Sequence, residues 1–198
     1  KEEQLSTAYH EAGHAIVIKH LKGDENDVQE VTIIPRGMSG GMTSYVDRTR
    51  GDASQATRDE MLKQITFLMG GRAAEKIIYG HVATGASNDI KVATNIAREM
   101  ITKYGMSEKL GPVCYASNDE VFLGRDFQQR SNISEHTAQL IDDEIKHTIE
   151  SCEQNAIDIL KTNRKILDEM AKTLVERKTI YAQEVEEFMS GKTAEEVI

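Results

Sequence analysis

Apolar residues recur at helical spacing over most of this chain, and the interruptions divide it into a few elements. From Leu5 to Lys22 the run includes Ala8, Ala12, Ala15, Ile16 and Ile18, which predicts a first helix apolar enough to be buried. Gly23-Asp24-Glu25-Asn26-Asp27 is a polar loop. Val28 to Ile34 alternates partly and is rich in β-branched residues, so it predicts a strand, closed by Pro35. Gly40-Gly41 opens a second strand, Met42 to Val46, able to pair with the first as a small antiparallel sheet. Asp52 or Ser54 is the expected cap of a long helix from about Gln55 to Tyr79. Gly70-Gly71 inside it implies either close backbone packing or a kink. A further helix follows Thr84 to Asp89, capped by Ser87 or Asn88, and runs to about Tyr104 with Gly105 as C-cap. Ser107 to Arg130 reads as irregular, with Phe122, Leu123 and Phe127 needing a surface to bury against and a turn at Gly124-Arg125-Asp126.

The last third returns to helical period. Ile141, Ile145, Ile149, Cys152, Ala156 and Ile159 form an apolar stripe within a helix from Ser134 to Thr162, and such a stripe is read as core. Asn163 interrupts it, a second helix runs from Arg164 to Glu176, and a third from Ala182 to Met189. The tail from Lys192 is expected to fray. The expected fold is mainly α: a helical domain with a small β-sheet and a C-terminal antiparallel helical hairpin. Residues 1–130 form the part with the sheet, and residues 131–198 a helical part packed on it, one domain overall.

Candidate chemistry sits in the first helix, at His10-Glu11-Ala12-Gly13-His14. Residues four apart share one helix face, so both imidazoles can reach one metal ion. Zinc held by two histidines and a carboxylate keeps a position open for water, and Glu11 lies where it can take that water's proton. This is the His-Glu-x-x-His metallopeptidase pattern. Gly13 in mid-helix costs up to about 1 kcal/mol against alanine, which a close-packed neighbour would justify. The third ligand must come from elsewhere. Glu75, in a helix, and Asp89, at a helix start where the dipole favours an acid, compete on equal terms. A strand edge beside such a helix offers an extended peptide a place to bind by strand addition. Gly41, Met42, Thr43, Ser44 and Tyr45 are the substrate-binding candidates on this reading, with a purely structural hairpin equally open. His81 is expected to be a solvated loop residue, and His136 and His147 are not read as ligands.

Composition narrows the classes. A formal net charge of -9 argues against a general nucleic-acid surface. Cys114 and Cys152 are far apart and form no C-x-x-C pair, which predicts free thiols in a reducing compartment. No apolar stretch is long enough to span a bilayer, no signal-peptide pattern precedes Lys1, and no G-x-x-x-x-G-K-[ST] phosphate loop occurs.

Several stretches carry a resemblance. His10 to His14, Val31-Thr32-Ile33-Ile34-Pro35-Arg36-Gly37, Gly70-Gly71-Arg72-Ala73-Ala74-Glu75, Thr84 to Thr94, and Tyr104-Gly105-Met106-Ser107-Glu108-Lys109-Leu110-Gly111-Pro112 closely resemble the peptidase domain of the FtsH family, membrane-anchored ATP-dependent zinc proteases. They occur in the family's order and span residue 6 to about 125. The resemblance implies that His10, His14 and Asp89 hold one zinc ion, that Glu11 is the general base, and that Glu75 supports a ligand. It also implies unfolded or membrane-extracted polypeptides as substrates, a ring-shaped homo-hexamer, and attachment to the cytoplasmic face of the bacterial inner membrane. ATP would be used by an ATPase module and not bound by these residues; the membrane would be reached only through absent segments. A chain that begins at Lys1, just ahead of the peptidase motif, is accordingly expected to be an excised fragment. Two other readings remain open: an assembly module for a ring of ATPases, and a zinc hydrolase acting on something other than peptides. The intact Glu11 speaks against the first, and a wide sheet-edged groove would speak against the second.

Overall fold

Helix α1, Glu2–Lys22, forms where the apolar run predicts it and lies at the centre of the fold. Ala8, Ala12, Ala15, Ile16, Val17 and Ile18 are all buried, as befits a helix apolar on more than one face. The computed structural model describes residues 2–23, 26–35, 40–47, 56–116 and 133–197. The expected turn at Gly124 and the aromatic residues Phe122 and Phe127 lie outside them, as do Asp52, Ser54 and Gln55.

Helix α2, Arg58–Tyr79, packs along α1. Its described start is a capping box: Thr57 accepts from the Glu60 N–H, and the Glu60 carboxylate accepts from the Thr57 N–H. α2 continues unbroken through Gly70-Gly71, so of the two expected reasons for the glycine pair, close packing holds. A Cβ on Gly13 would lie 2.5 Å from the Gly70 carbonyl oxygen, and one on Gly70 would lie 2.9 Å from the Gly13 oxygen. The two backbones touch here, and no side chain fits between them.

Three strands form one antiparallel sheet in the order β2-β1-β3. Strand β1, Asn26–Thr32, pairs with β2, Met42–Asp47, setting Val31 opposite Thr43. β1 ends two residues before the expected Ile34, because the Thr32 hydroxyl accepts from the Ile34 N–H and turns the chain. Strand β3, Thr179–Tyr181, is too short to announce itself in the sequence. It exists because Lys178 takes φ 70, ends the preceding helix and lays the chain along β1.

A 3-10 turn, Thr84–Ala86, runs straight into α3, Ser87–Thr102. Ala86 therefore occupies the cap position without a side-chain bond, and neither Ser87 nor Asn88 is the cap. α3 stops at Thr102, and Gly105 adopts φ 61 just beyond it. Helix α4, Glu135–Thr162, starts at the expected Ser134, whose hydroxyl accepts from the Thr137 N–H. Helix α5, Arg164–Arg177, follows after the single residue Asn163, and α6 spans Ala182–Met189.

The fold is thus mainly α with a small antiparallel sheet, as expected. Within the C-terminal hairpin the two helices splay onto separate partners: α4 lies along α2, and α5 along α1. One apolar cluster joins Ile16 and Ile65 to Leu160, Leu167, Phe188 and Val197. The tail departs from expectation. Val197 is fully buried and its carbonyl accepts from Arg177 at 2.6 Å, so the residues after Lys192 dock instead of fraying.

Candidate metal centre and active site

His10 and His14 stand one turn apart on α1, with their Nε2 atoms 3.1 Å from each other. Asp89, in the first turn of α3, brings Oδ2 to 3.4 Å from each of them. These three side chains converge as a possible metal-binding group among the described residues. A tetrahedral zinc with bonds of about 2.0–2.1 Å needs ligand atoms about 3.3–3.4 Å apart. The observed separations match that triangle, so the residues present fit zinc.

The other ring nitrogens are committed elsewhere. His10 Nδ1 lies 2.8 Å from Glu75 Oε1, and His14 Nδ1 lies 2.9 Å from the Phe67 carbonyl oxygen. A carbonyl can only accept, so His14 Nδ1 carries the proton and Nε2 presents its lone pair to the centre. Glu75 does the same for His10, while its second oxygen accepts from the Ala83 N–H at 2.8 Å. Glu75 therefore grips His10 and the loop before α3. Arg72, three residues before Glu75 on α2, binds Glu153 at 2.7 Å.

The electrostatics follow from this crowding. Burial opposes charge on His10, but hydrogen bonds to Asp89 and Glu75, with Glu11 nearby, outweigh it and raise its pKa to about 9. Burial likewise opposes the Asp89 carboxylate, and the two imidazoles beside it hold it well below the usual range. Glu75 is lowered too: burial opposes its charge, and the bonds from His10 and the Ala83 N–H prevail. Carboxylates thus crowd around the two imidazoles, an electrostatic setting that suits a cation.

Glu11 follows His10 on α1 and is 6% exposed, so its carboxylate needs nearby donors. The Thr43 hydroxyl lies 2.8 Å from Glu11 Oε2. Gly41 is buried, and a Cβ there would come within 2.8 Å of Glu11 Cγ and Oε1. Gly71 serves His10 in the same way, since a Cβ would lie 2.4 Å from its Nε2. Neither the Phe67 carbonyl nor the Ala83 N–H was legible in the sequence, because backbone partners carry no residue signature.

The five strand candidates separate by alternation. Thr43 and Tyr45 face inward: Thr43 meets Glu11, and the Tyr45 ring packs 4.8 Å from that of Phe67, which lies 5.2 Å from His14. Met42 and Ser44 alternate with them on β2, an edge strand. His81 is exposed and stacks on Tyr79, and His136 and His147 are exposed on α4. Cys114 is exposed and Cys152 buried, both as free thiols.

Comparison with known proteins agrees with this geometry. The sequence profile described as peptidase family M41 matches residues 1–188. The chain belongs to peptidase family M41. It is 48% identical over 185 residues to the ATP-dependent zinc metalloprotease FtsH of Caldicellulosiruptor bescii, covering 93% of this chain and 29% of that protein. FtsH 1 of a Thermoanaerobacter species is 45% identical over 198 residues, covering 100% of this chain and 32% of the relative. FtsH of Bacillus subtilis is 44% identical over 199 residues, covering 99% and 31%. The resemblance carried by the motifs therefore extends over residues 1–188, and the peptidase class read from His-Glu-x-x-His is borne out. The chain spans less than a third of the length of these relatives.

Proposed function

We propose that this chain is the zinc-dependent endopeptidase domain of a membrane-anchored, ATP-dependent protease. The observation that carries the reading is the triangle of His10 Nε2, His14 Nε2 and Asp89 Oδ2, with the Glu11 carboxylate beside it. On this reading His10, His14 and Asp89 hold zinc, which when bound would acidify a water and polarise the scissile carbonyl. Glu11 accepts the proton that the attacking water loses and returns it to the departing amine. Glu75 and the Phe67 carbonyl keep both rings aimed, so no reorientation is needed at the moment of reaction. An extended substrate lies along edge strand β2, where backbone hydrogen bonds tolerate most side-chain sequences.

Residues 1–130 act as the catalytic part, and residues 131–198 buttress it through α4 on α2 and α5 on α1. No helix among the described residues is long and apolar enough to cross a membrane. On this reading membrane attachment, at the cytoplasmic face of the bacterial inner membrane, and ATP-driven unfolding belong to other parts of the protein. A ring of six such domains would keep a broadly specific site away from folded bystanders and admit unfolded or membrane-extracted polypeptides. The test is cleavage of casein by the zinc-loaded chain and by its Glu11→Gln variant. Cleavage by the first alone supports the proposal. Equal cleavage by both refutes it. Failure of both, with zinc bound, favours the assembly-module reading for the isolated chain.

A further inference from the structure

Glu11 is held from outside its own helix, by Gly41 and the start of β2. Gly41, the residue just before β2, and Thr43, the second residue of that strand, approach the two oxygens of one carboxylate. At Gly41 the lack of a side chain leaves room for Glu11 Cγ and Oε1, both within 2.8 Å of where a Cβ would stand. At Thr43 the hydroxyl reaches Glu11 Oε2 at 2.8 Å and the Glu11 main-chain oxygen at 3.0 Å. Thr43 itself is fixed by the sheet, paired with Val31 of β1. β1 is in turn pinned by β3 on its other side. The carboxylate is therefore referenced to a three-stranded sheet as well as to α1.

From this geometry we infer that Thr43 is a positioning residue for Glu11: its hydroxyl fixes the direction of the carboxylate toward the water, with Gly41 clearing the space. The inference rests on the proposed role of Glu11 as general base. A glutamate has three side-chain torsions, and α1 alone leaves its carboxylate several staggered rotamers. One hydrogen bond from a rigid strand selects among them. A hydroxyl suits the task better than an ammonium or amide group. It has one proton and two acceptors within reach, Oε2 and the main-chain oxygen. It can donate to the carboxylate before the water's O–H bond breaks. After Glu11 has gained that proton on its other oxygen, the hydroxyl can go on donating to Oε2, which remains an acceptor, or to the main-chain oxygen. The carboxyl group is held in both states without moving.

This gives β2 a second task beside strand addition. A peptide laid on its edge would be registered against the same strand that orients the base, so substrate and base share one frame. The bland alternative is that Thr43 is a β-branched residue suited to a strand, its hydroxyl merely satisfied.

The experiment compares Thr43→Val, which keeps shape and strand propensity but lacks the hydroxyl, with Thr43→Ser, which keeps the hydroxyl. Both are made in the zinc-loaded protein at its natural full length, with an internally quenched unstructured peptide as substrate. Zinc content and melting temperature are read alongside kcat and KM. We expect Thr43→Val to lower kcat about tenfold, with KM, zinc content and melting temperature unchanged, and Thr43→Ser to recover most of the loss. Unchanged kcat in Thr43→Val overturns the inference. So does a loss that falls on KM, which would make Thr43 a substrate contact, or a loss that tracks zinc or folding and is not rescued by serine. Glu11→Gln is the separate control: if it retains hydrolysis, the reading of Glu11 as base fails, whatever Thr43 does.

Discussion

Replacing Gly71 with alanine should disarm the metal centre without unfolding the protein. The added Cβ would lie 2.4 Å from Nε2, 2.5 Å from Cε1 and 2.6 Å from Cδ2 of the His10 ring. Ordinary contacts between such atoms are about 3.5–4.0 Å, so the ring must withdraw by roughly 1 Å. Ligand distances tolerate only about 0.2 Å, so His10 can no longer complete the triangle. Weakening the support of a ligand already costs about 10–100-fold in metal affinity, and displacing the ligand itself should cost at least the upper figure. The stability balance is milder. Alanine gains up to about 1 kcal/mol of helix propensity over glycine, against an overpacking cost of about 1–3 kcal/mol. The net loss is at most about 3 kcal/mol, and the atoms displaced belong to a side chain. Zinc affinity measured by chelator competition, with a melting curve of the metal-free protein, separates the two effects. Gly70→Ala is the control, because its Cβ meets the Gly13 backbone at 2.9 Å, which cannot turn aside. That variant should lose stability first. Wild-type zinc affinity in a folded Gly71→Ala protein would refute the claim that Gly71 exists to make room for His10.

Glu11→Gln should keep the fold and the zinc and lower hydrolysis by about 10²–10⁴-fold, read as kcat on an unstructured peptide; a surviving rate shows a different base. Asp89→Asn should weaken zinc binding more than Glu75→Gln, since one removes a ligand's charge and the other only its support. Abolition of binding by Glu75→Gln alone would reverse that assignment. In the metal-free protein, His10 has a folded pKa raised from 6.5 to about 9. Its contribution is fully present below about pH 6.5 and is lost as pH rises through 9, worth up to about 3 kcal/mol. Asp89 and Glu75 are depressed, so their contributions are present above the ordinary carboxylate range and are lost as pH falls through their lowered folded values. The metal-free melting temperature should therefore fall on both sides of a plateau between about pH 5 and 6.5. A His10→Ala variant should lack the alkaline fall; an identical alkaline fall in that variant would remove His10 as its cause. Thr57→Ala should cost about 1 kcal/mol by removing the α2 cap, measured by denaturant unfolding; no change would mean that the cap is not coupled to global stability.

Local pattern carries much of this protein. Helical period located α1, α4, α5 and α6 to within a few residues, because each presents an apolar stripe long enough to outweigh local accidents. His10, Glu11 and His14 were legible for the same reason: four-residue spacing on a helix is geometry written directly in sequence. The glycines at positions 13, 70 and 71 announced a close approach but not its partners. Local chemistry left even the choice between Glu75 and Asp89, since either acid could reach a metal from a neighbouring helix, and only the family resemblance favoured Asp89. Tertiary structure separates them. α3 carries Asp89 Oδ2 to 3.4 Å from both Nε2 atoms, while Glu75 meets His10 from the opposite ring nitrogen. Strand β3, the docked tail at Val197 and the grip of Thr43 on Glu11 were likewise decided only by folding. Each depends on a contact between residues distant in the chain, some of it through backbone atoms, which every residue possesses and no sequence pattern marks.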